Sequence, residues 1–241
     1  MPDTPDFYEY LPGSDRYSLS DMGELVVRLG SPVTYDRRGE VIWYDMMDRG
    51  LSPYVVSAYG TGAAARVTAV YTGMGHYCME LTAGSTLLMS ITLMREFVHL
   101  GLQRVGVEIG VSFYTLNDYF RLWLSRYENG VCHYPGINLS AHDRTLSYRD
   151  KDNVWQVLYN TGQLEGWKDV FHHLKLVVDY MTGKYVRVMF NDHEFNMSDI
   201  EYYKITTGEE NRYFLEFGLF SRPGYNDVCY VDHVIITGNE P

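Results

Sequence analysis

Short apolar or alternating runs recur along the chain, separated by glycine, asparagine and aspartate. Alternation at every second position marks a half-buried strand, and that kind of punctuation marks turns. The runs predict strands over residues 25–29, 41–44, 54–59, 65–71, 76–82 and 86–94. The second half adds 103–113, 119–127, 145–148, 154–158, 174–181, 185–190, 213–220 and 228–236. Glu128-Asn129-Gly130, Met181-Thr182-Gly183 and Asn191-Asp192-His193 supply turn chemistry between runs. Helix start and stop signals are scarce, so the pattern is all-β.

One segment admits two periods. Leu116, Tyr119, Phe120, Trp123, Leu124 and Tyr127 recur at helical spacing. The same stretch also alternates, with Phe120, Leu122 and Leu124 on one face and Tyr119, Arg121, Trp123, Ser125 and Tyr127 on the other. The Asn129-Gly130 turn that follows, and the β context on both sides, select the strand.

Composition narrows the class. The 241 residues are 46% hydrophobic, which excludes disorder and fits one sandwich domain spanning 1–241. Tyrosine stands out at 22 residues, a usage typical of β-rich or ligand-stacking surfaces. Twenty basic against 31 acidic residues give a net charge of −11. Nucleic acid and anionic membrane need a clustered basic face, and Arg37-Arg38 and the basic residues of 121–126 do not form one. The same balance disfavours an acidic polysaccharide and leaves a neutral ligand, a cation or a protein partner. Cys78, Cys132 and Cys229 form no C-x-x-C pair, against zinc and redox motifs. The acidic start over residues 1–6 has no apolar stretch, and no run of 18 apolar residues occurs. A cytoplasmic location is the expectation, and the sequons at Asn138 and Asn196 then carry little weight.

The last third carries a recognisable order. A long strand from Phe171 holds Asp179 near its end, turns at Thr182-Gly183 and returns from Lys184-Tyr185. Asn196-Met197-Ser198-Asp199 follows, and later Tyr230-Val231-Asp232-His233-Val234. This pattern resembles the concanavalin A-like lectin/glucanase superfamily, in which a similar hairpin precedes a closing strand of the type Tyr-Val-Asp-x-Val. The resemblance covers residues 140–241 directly and the rest by strand rhythm. It implies an antiparallel β-sandwich of the jelly-roll kind. Such folds host lectins, hydrolases, lyases and structural modules alike.

Known catalytic patterns are missing. Retaining glucanases of that superfamily carry Glu-x-Asp-x-x-Glu on one strand, where alternation places the acids on one face. No such spacing occurs; Asp192-His193-Glu194 and Asp199-Ile200-Glu201 fall in expected turns. Gly60-Thr61-Gly62-Ala63-Ala64-Ala65 matches a dinucleotide fingerprint with Glu80 downstream, but the strands that follow leave no room for its helix. Asp150-Lys151-Asp152-Asn153 starts like a calcium loop and lacks its glycine and final glutamate, which reads as a turn. His172 and His173 would point to opposite faces of a strand.

Two places remain as candidate sites. Asp232 interrupts the face formed by Tyr230, Val234 and Ile236, and by resemblance it is a candidate ligand of a structural calcium; no other cofactor is expected. Over 103–113, Val105, Val107, Ile109, Val111 and Phe113 form one set, and Arg104, Gly106, Glu108, Gly110 and Ser112 the other. A carboxylate between two glycines leaves space above a sheet. With the next strand as neighbour, Glu108, Arg121, Trp123, His133 and Tyr134 would form one aromatic and polar face suited to sugars. The expected function is therefore non-catalytic, lectin-like recognition of a neutral glycan. A glycoside hydrolase or lyase using Glu108 and a structural or oligomerising β-domain are the alternatives.

Overall fold

Strands that are apolar on one face need a second layer to bury it. The computed structural model describes residues 36, 38–73, 76–84, 90–97, 101–115, 117, 119–162, 164, 170–222 and 224–241. The expected strand over 25–29, and the first half of that over 86–94, lie outside them. The described residues form two antiparallel sheets and no helix.

The first sheet has the order β14 (His193–Asn196), β13 (Lys184–Phe190), β12 (His172–Asp179), β6 (Arg104–Phe113), β17 (Val228–Gly238), β4 (Cys78–Thr82) and β3 (Ala64–Thr68). β1 (Glu40–Asp45) also pairs with β17. The second has the order β11 (Trp155–Asn160), β10 (Thr145–Arg149), β9 (Gly136–Ser140), β7 (Tyr119–Glu128), β16 (Arg212–Phe220), β5 (Ser90–Phe97) and β2 (Val55–Tyr59). β8 (Val131–His133) pairs with β7, and β15 (Lys204–Thr206) with β8.

The core lies between the sheets. Val105, Val107, Ile109, Val111 and Phe113 of β6 belong to one buried cluster with Phe120, Leu122 and Leu124 of β7 and Leu215, Phe217 and Leu219 of β16. Each such side chain contributes about 1.5–3 kcal/mol of transfer free energy. The expected hairpin is present as β12 and β13: Asp179 Oδ1 accepts from Met181 N at 2.9 Å and Thr182 N at 3.0 Å, and Gly183 takes a φ of 72°. The Asp150 turn is also present, its Oδ1 accepting from Asp152 N at 3.0 Å and Val154 N at 2.8 Å.

Two local expectations change. β6 and β7 are not neighbours: the chain crosses from one sheet to the other between them, so Glu108 and Trp123 stand on opposite outer faces of the sandwich. Gly60–Gly62 likewise carry the chain from β2 in the second sheet to β3 in the first. β17 is bulged: Val231 pairs with Val111 and Val234 with Ile109, so Asp232 and His233 together oppose Gly110. The extra residue puts Val231, Val234 and Ile236 in the core and breaks the expected alternation of Tyr230, Asp232 and Val234.

Candidate functional site

On the outer face of the first sheet the gaps above the glycines are filled. A Cβ on Gly106 would meet Thr237 Oγ1 at 2.5 Å and Glu240 Oε1 at 2.7 Å, and one on Gly110 the His233 ring at 2.7 Å. Glu108 is 3% exposed. Around it Lys175 Nζ reaches Glu240 Oε1 at 2.9 Å and Asp36 Oδ2 at 3.2 Å, while Arg187 reaches Asp36 Oδ2 at 2.8 Å and also pairs with Glu240. Two acids and two bases balance, leaving Glu108 as the odd acid. Burial pushes its pKa up to about 8, and the nearby charges of Asp36 and Glu240 add to that against the pull of Lys175. Burial would raise Asp36 too, but hydrogen bonds from Arg38 and Arg187 and the charge of Lys175 hold it well below the carboxylate range. Glu108 therefore belongs to an ionic cluster buried among the described residues.

Asp232 is also enclosed. Its Oδ1 accepts from Gly73 N at 2.8 Å, and Oδ2 lies 3.2 Å from His233 Nδ1. His233 stacks on His173 at 5.3 Å, whereas His172 turns to the other face and stacks on Phe190 at 5.7 Å. Among the described residues no group of three or more His, Cys, Asp or Glu side chains is arranged to hold a metal ion.

The outer face of the second sheet is aromatic. Trp123 projects there, as alternation requires, but is only 5% exposed. Its indole packs over Gly136, edge-on to Phe220 at 5.7 Å and 6.2 Å from Tyr134. Arg121 lies over the rings of Tyr119 at 4.5 Å, Phe220 at 4.8 Å and Trp155 at 5.1 Å, and its Nε bonds Asn138 Oδ1 at 3.2 Å. His133 turns away, its Nδ1 3.0 Å from the Tyr202 hydroxyl. Burial, then the charges of Lys204 and Arg126, lower its pKa to about 4.

Tyr134 opens onto a cavity of about 430 Å³, within the roughly 300–1,000 Å³ range of small-molecule sites. Tyr127, Tyr134 and Tyr203 provide rings, while Arg149, Asn153 and Glu209 provide polar groups. The Asn129-Gly130 turn sets one side: both residues have positive φ, and Gly130 O accepts from Thr207 N at 2.8 Å. Tyr134 N bonds Tyr203 O at 2.9 Å, tying the residue after β8 to the residue before β15. The Arg149 guanidinium lies over Tyr134 at 4.8 Å and Tyr203 at 4.9 Å, and its Nε bonds Asn153.

Of the five residues expected to share a face, Arg121, Trp123 and Tyr134 do so, Glu108 lies on the other sheet and His133 points inward. Arg149, Asn153 and Tyr203 escaped the sequence reading, because β15 is three residues long and the Asp150 turn showed only its turn chemistry. Glu216 was also missed, although alternation over 213–220 places it outward beside Gly218 and opposite Trp123. It makes no hydrogen bond or ion pair with a described residue, and burial raises its pKa.

Solved structures share this sandwich. A conserved carbohydrate esterase from the Shiga toxin-encoding bacteriophage phi24B matches at TM-score 0.57 and 13% identity, over 84% of this chain and 100% of that one. The laminarinase catalytic domain of Thermotoga maritima matches at TM-score 0.51 and 12% identity, over 85% and 100%. A sialidase matches at TM-score 0.55 and 9% identity, over 86% of this chain, which spans only 19% of the sialidase. No protein-family model and no curated protein sequence matches. The fold is the concanavalin A-like jelly-roll sandwich.

Proposed function

We propose that the protein binds a glycan without cleaving it, holding a sugar ring in the cavity between Tyr134, Tyr203 and Tyr127. The observation that carries this reading is the cavity itself: three tyrosines around one wall, with Arg149 and Asn153 set among them. Apolar sugar faces stack on rings, and a few fixed polar groups orient hydroxyls. A glycan array probed with the intact protein tests it. Signal on a defined subset of glycans, lost in Tyr203→Ala, is expected; no signal on any glycan contradicts it.

Glu216 favours a second reading, catalysis on the same face. Its raised pKa suits a general acid, and Glu96 pairs with Phe214, one diagonal step away at roughly 7–8 Å between backbones. Two carboxyls roughly 6.5–9.5 Å apart fit an inverting glycosidase. This reading requires reducing-end release from a bound oligosaccharide that stops in Glu216→Gln. Binding without release retires it.

A further inference from the structure

Two guanidinium groups on the outer face of the second sheet have no carboxylate partner among the described residues. Several arginines elsewhere do find one: Arg104 meets Asp179 at 3.0 Å, Arg187 meets Asp36 at 2.8 Å and Arg222 meets Asp143 at 3.3 Å. Acids are plentiful, at 31 in the chain. Yet Arg149 bonds only Asn153 through Nε, and Arg121 only Asn138, so the terminal nitrogens of both carry no hydrogen bond to a described residue. Both groups are held rigidly by the rings beneath them, and Arg149 forms part of the cavity wall.

Among the described residues the wall carries one carboxylate, Glu209, and Arg212 holds it at 2.9 Å. Arg121 sits two strands from Arg149 and two residues along, about 12 Å away in backbone terms. It is near enough for the two charges to repel, since Arg149 adds to the effect of burial in lowering the pKa of Arg121. A half-buried charge without a counter-ion is costly, and an anion placed there recovers that cost. A guanidinium with both terminal nitrogens open is shaped to grip a carboxylate through two hydrogen bonds.

We propose that the cavity is built for an acidic sugar, a uronate whose carboxylate sits on the terminal nitrogens of Arg149 while its ring stacks on the tyrosines and Arg121 adds attraction. This rests on the carbohydrate reading above and reverses the sequence expectation of a neutral ligand. Net charge is a property of the whole chain and does not describe this face.

Calorimetry on the intact protein decides it, using galacto-, manno- and gluco-configured oligosaccharides, each neutral and in its C6-oxidised uronate form. The expected result is a uronate bound at least about tenfold more tightly than its neutral counterpart. That preference should shrink as salt rises from about 0.05 to about 0.5 M. Arg149→Met should bring the pair within about twofold of each other, the uronate losing more affinity than its neutral counterpart. Neutral forms bound as well as uronates overturn the acidic-sugar inference and leave the carbohydrate reading standing. No binding of either form overturns both. Should Arg149→Met fail to fold, the parent's own uronate preference and its salt dependence separate these outcomes.

Discussion

The Trp123 indole occupies the space that Gly136 leaves open: a Cβ on Gly136 would fall 2.5 Å from Trp123 Cδ1 and 2.8 Å from Nε1. The two residues pair across β7 and β9, and the indole lies between them and the Tyr134 wall of the cavity. Gly136→Ala must therefore push the indole towards Tyr134. Overpacking of this kind costs about 1–3 kcal/mol. Denaturant unfolding should show that loss, with shifted tryptophan emission; unchanged stability would mean the ring has room to move.

Trp123 itself is floor rather than platform. At 5% exposure it has too little open surface to stack on a sugar. Trp123→Ala should cost about 3–5 kcal/mol of stability. A melting temperature equal to the parent's would show that the ring is exposed in solution.

Glu108 gives the ionic cluster a pH signature. Its folded-state pKa, near 8, lies above the ordinary 4.5, so the folded chain keeps a proton that the unfolded chain releases. Stability contributed by this group falls as pH rises from 4.5 to about 8 and is constant above that. Glu108→Gln removes the dependence. The variant should match the parent near pH 5 and be the more stable of the two at about pH 9. A difference that does not grow with pH would show that Glu108 is already ionised in the fold.

Three histidines act in the opposite direction. Burial holds His133 and His172 at about 4 and His173 at about 3, below the ordinary 6.5. The unfolded chain takes up their protons first, so stability drops as pH falls from 6.5 towards 4. His133→Gln combined with His172→Gln should flatten the dependence of the unfolding midpoint on pH in that window. An unchanged slope would place these protons on the folded protein as well.

What was legible in the sequence and what was not separate by range. Alternation over β6, β7 and β16 assigned each side chain to inner or outer face, because that property is local. It could not say which sheet a strand joins, so Glu108 and Trp123 were put together when the crossing after β6 sends them apart. The glycines at 106 and 110 did mark space above the sheet, but Thr237, Glu240 and His233 fill it from more than 120 positions away. The pocket wall depends on β15, three residues that among the described residues pair with β8 some 70 positions earlier. The bulge at Asp232 and His233 inserts a residue into an otherwise regular alternation, opposite Gly110 of the partner strand.

If the tyrosine-lined cavity, and not the face around Glu108, receives the sugar, substitutions in the two places separate cleanly. The most direct measurement is calorimetric affinity for a glycan found on the array, compared among the parent, Tyr203→Ala and Glu108→Gln at pH 7. Losing one stacking ring should weaken binding by about 1–2 kcal/mol, or roughly 5–30-fold, in Tyr203→Ala, with Glu108→Gln unchanged. Parent-like affinity in Tyr203→Ala together with lost affinity in Glu108→Gln would contradict the account and move the site to the other sheet.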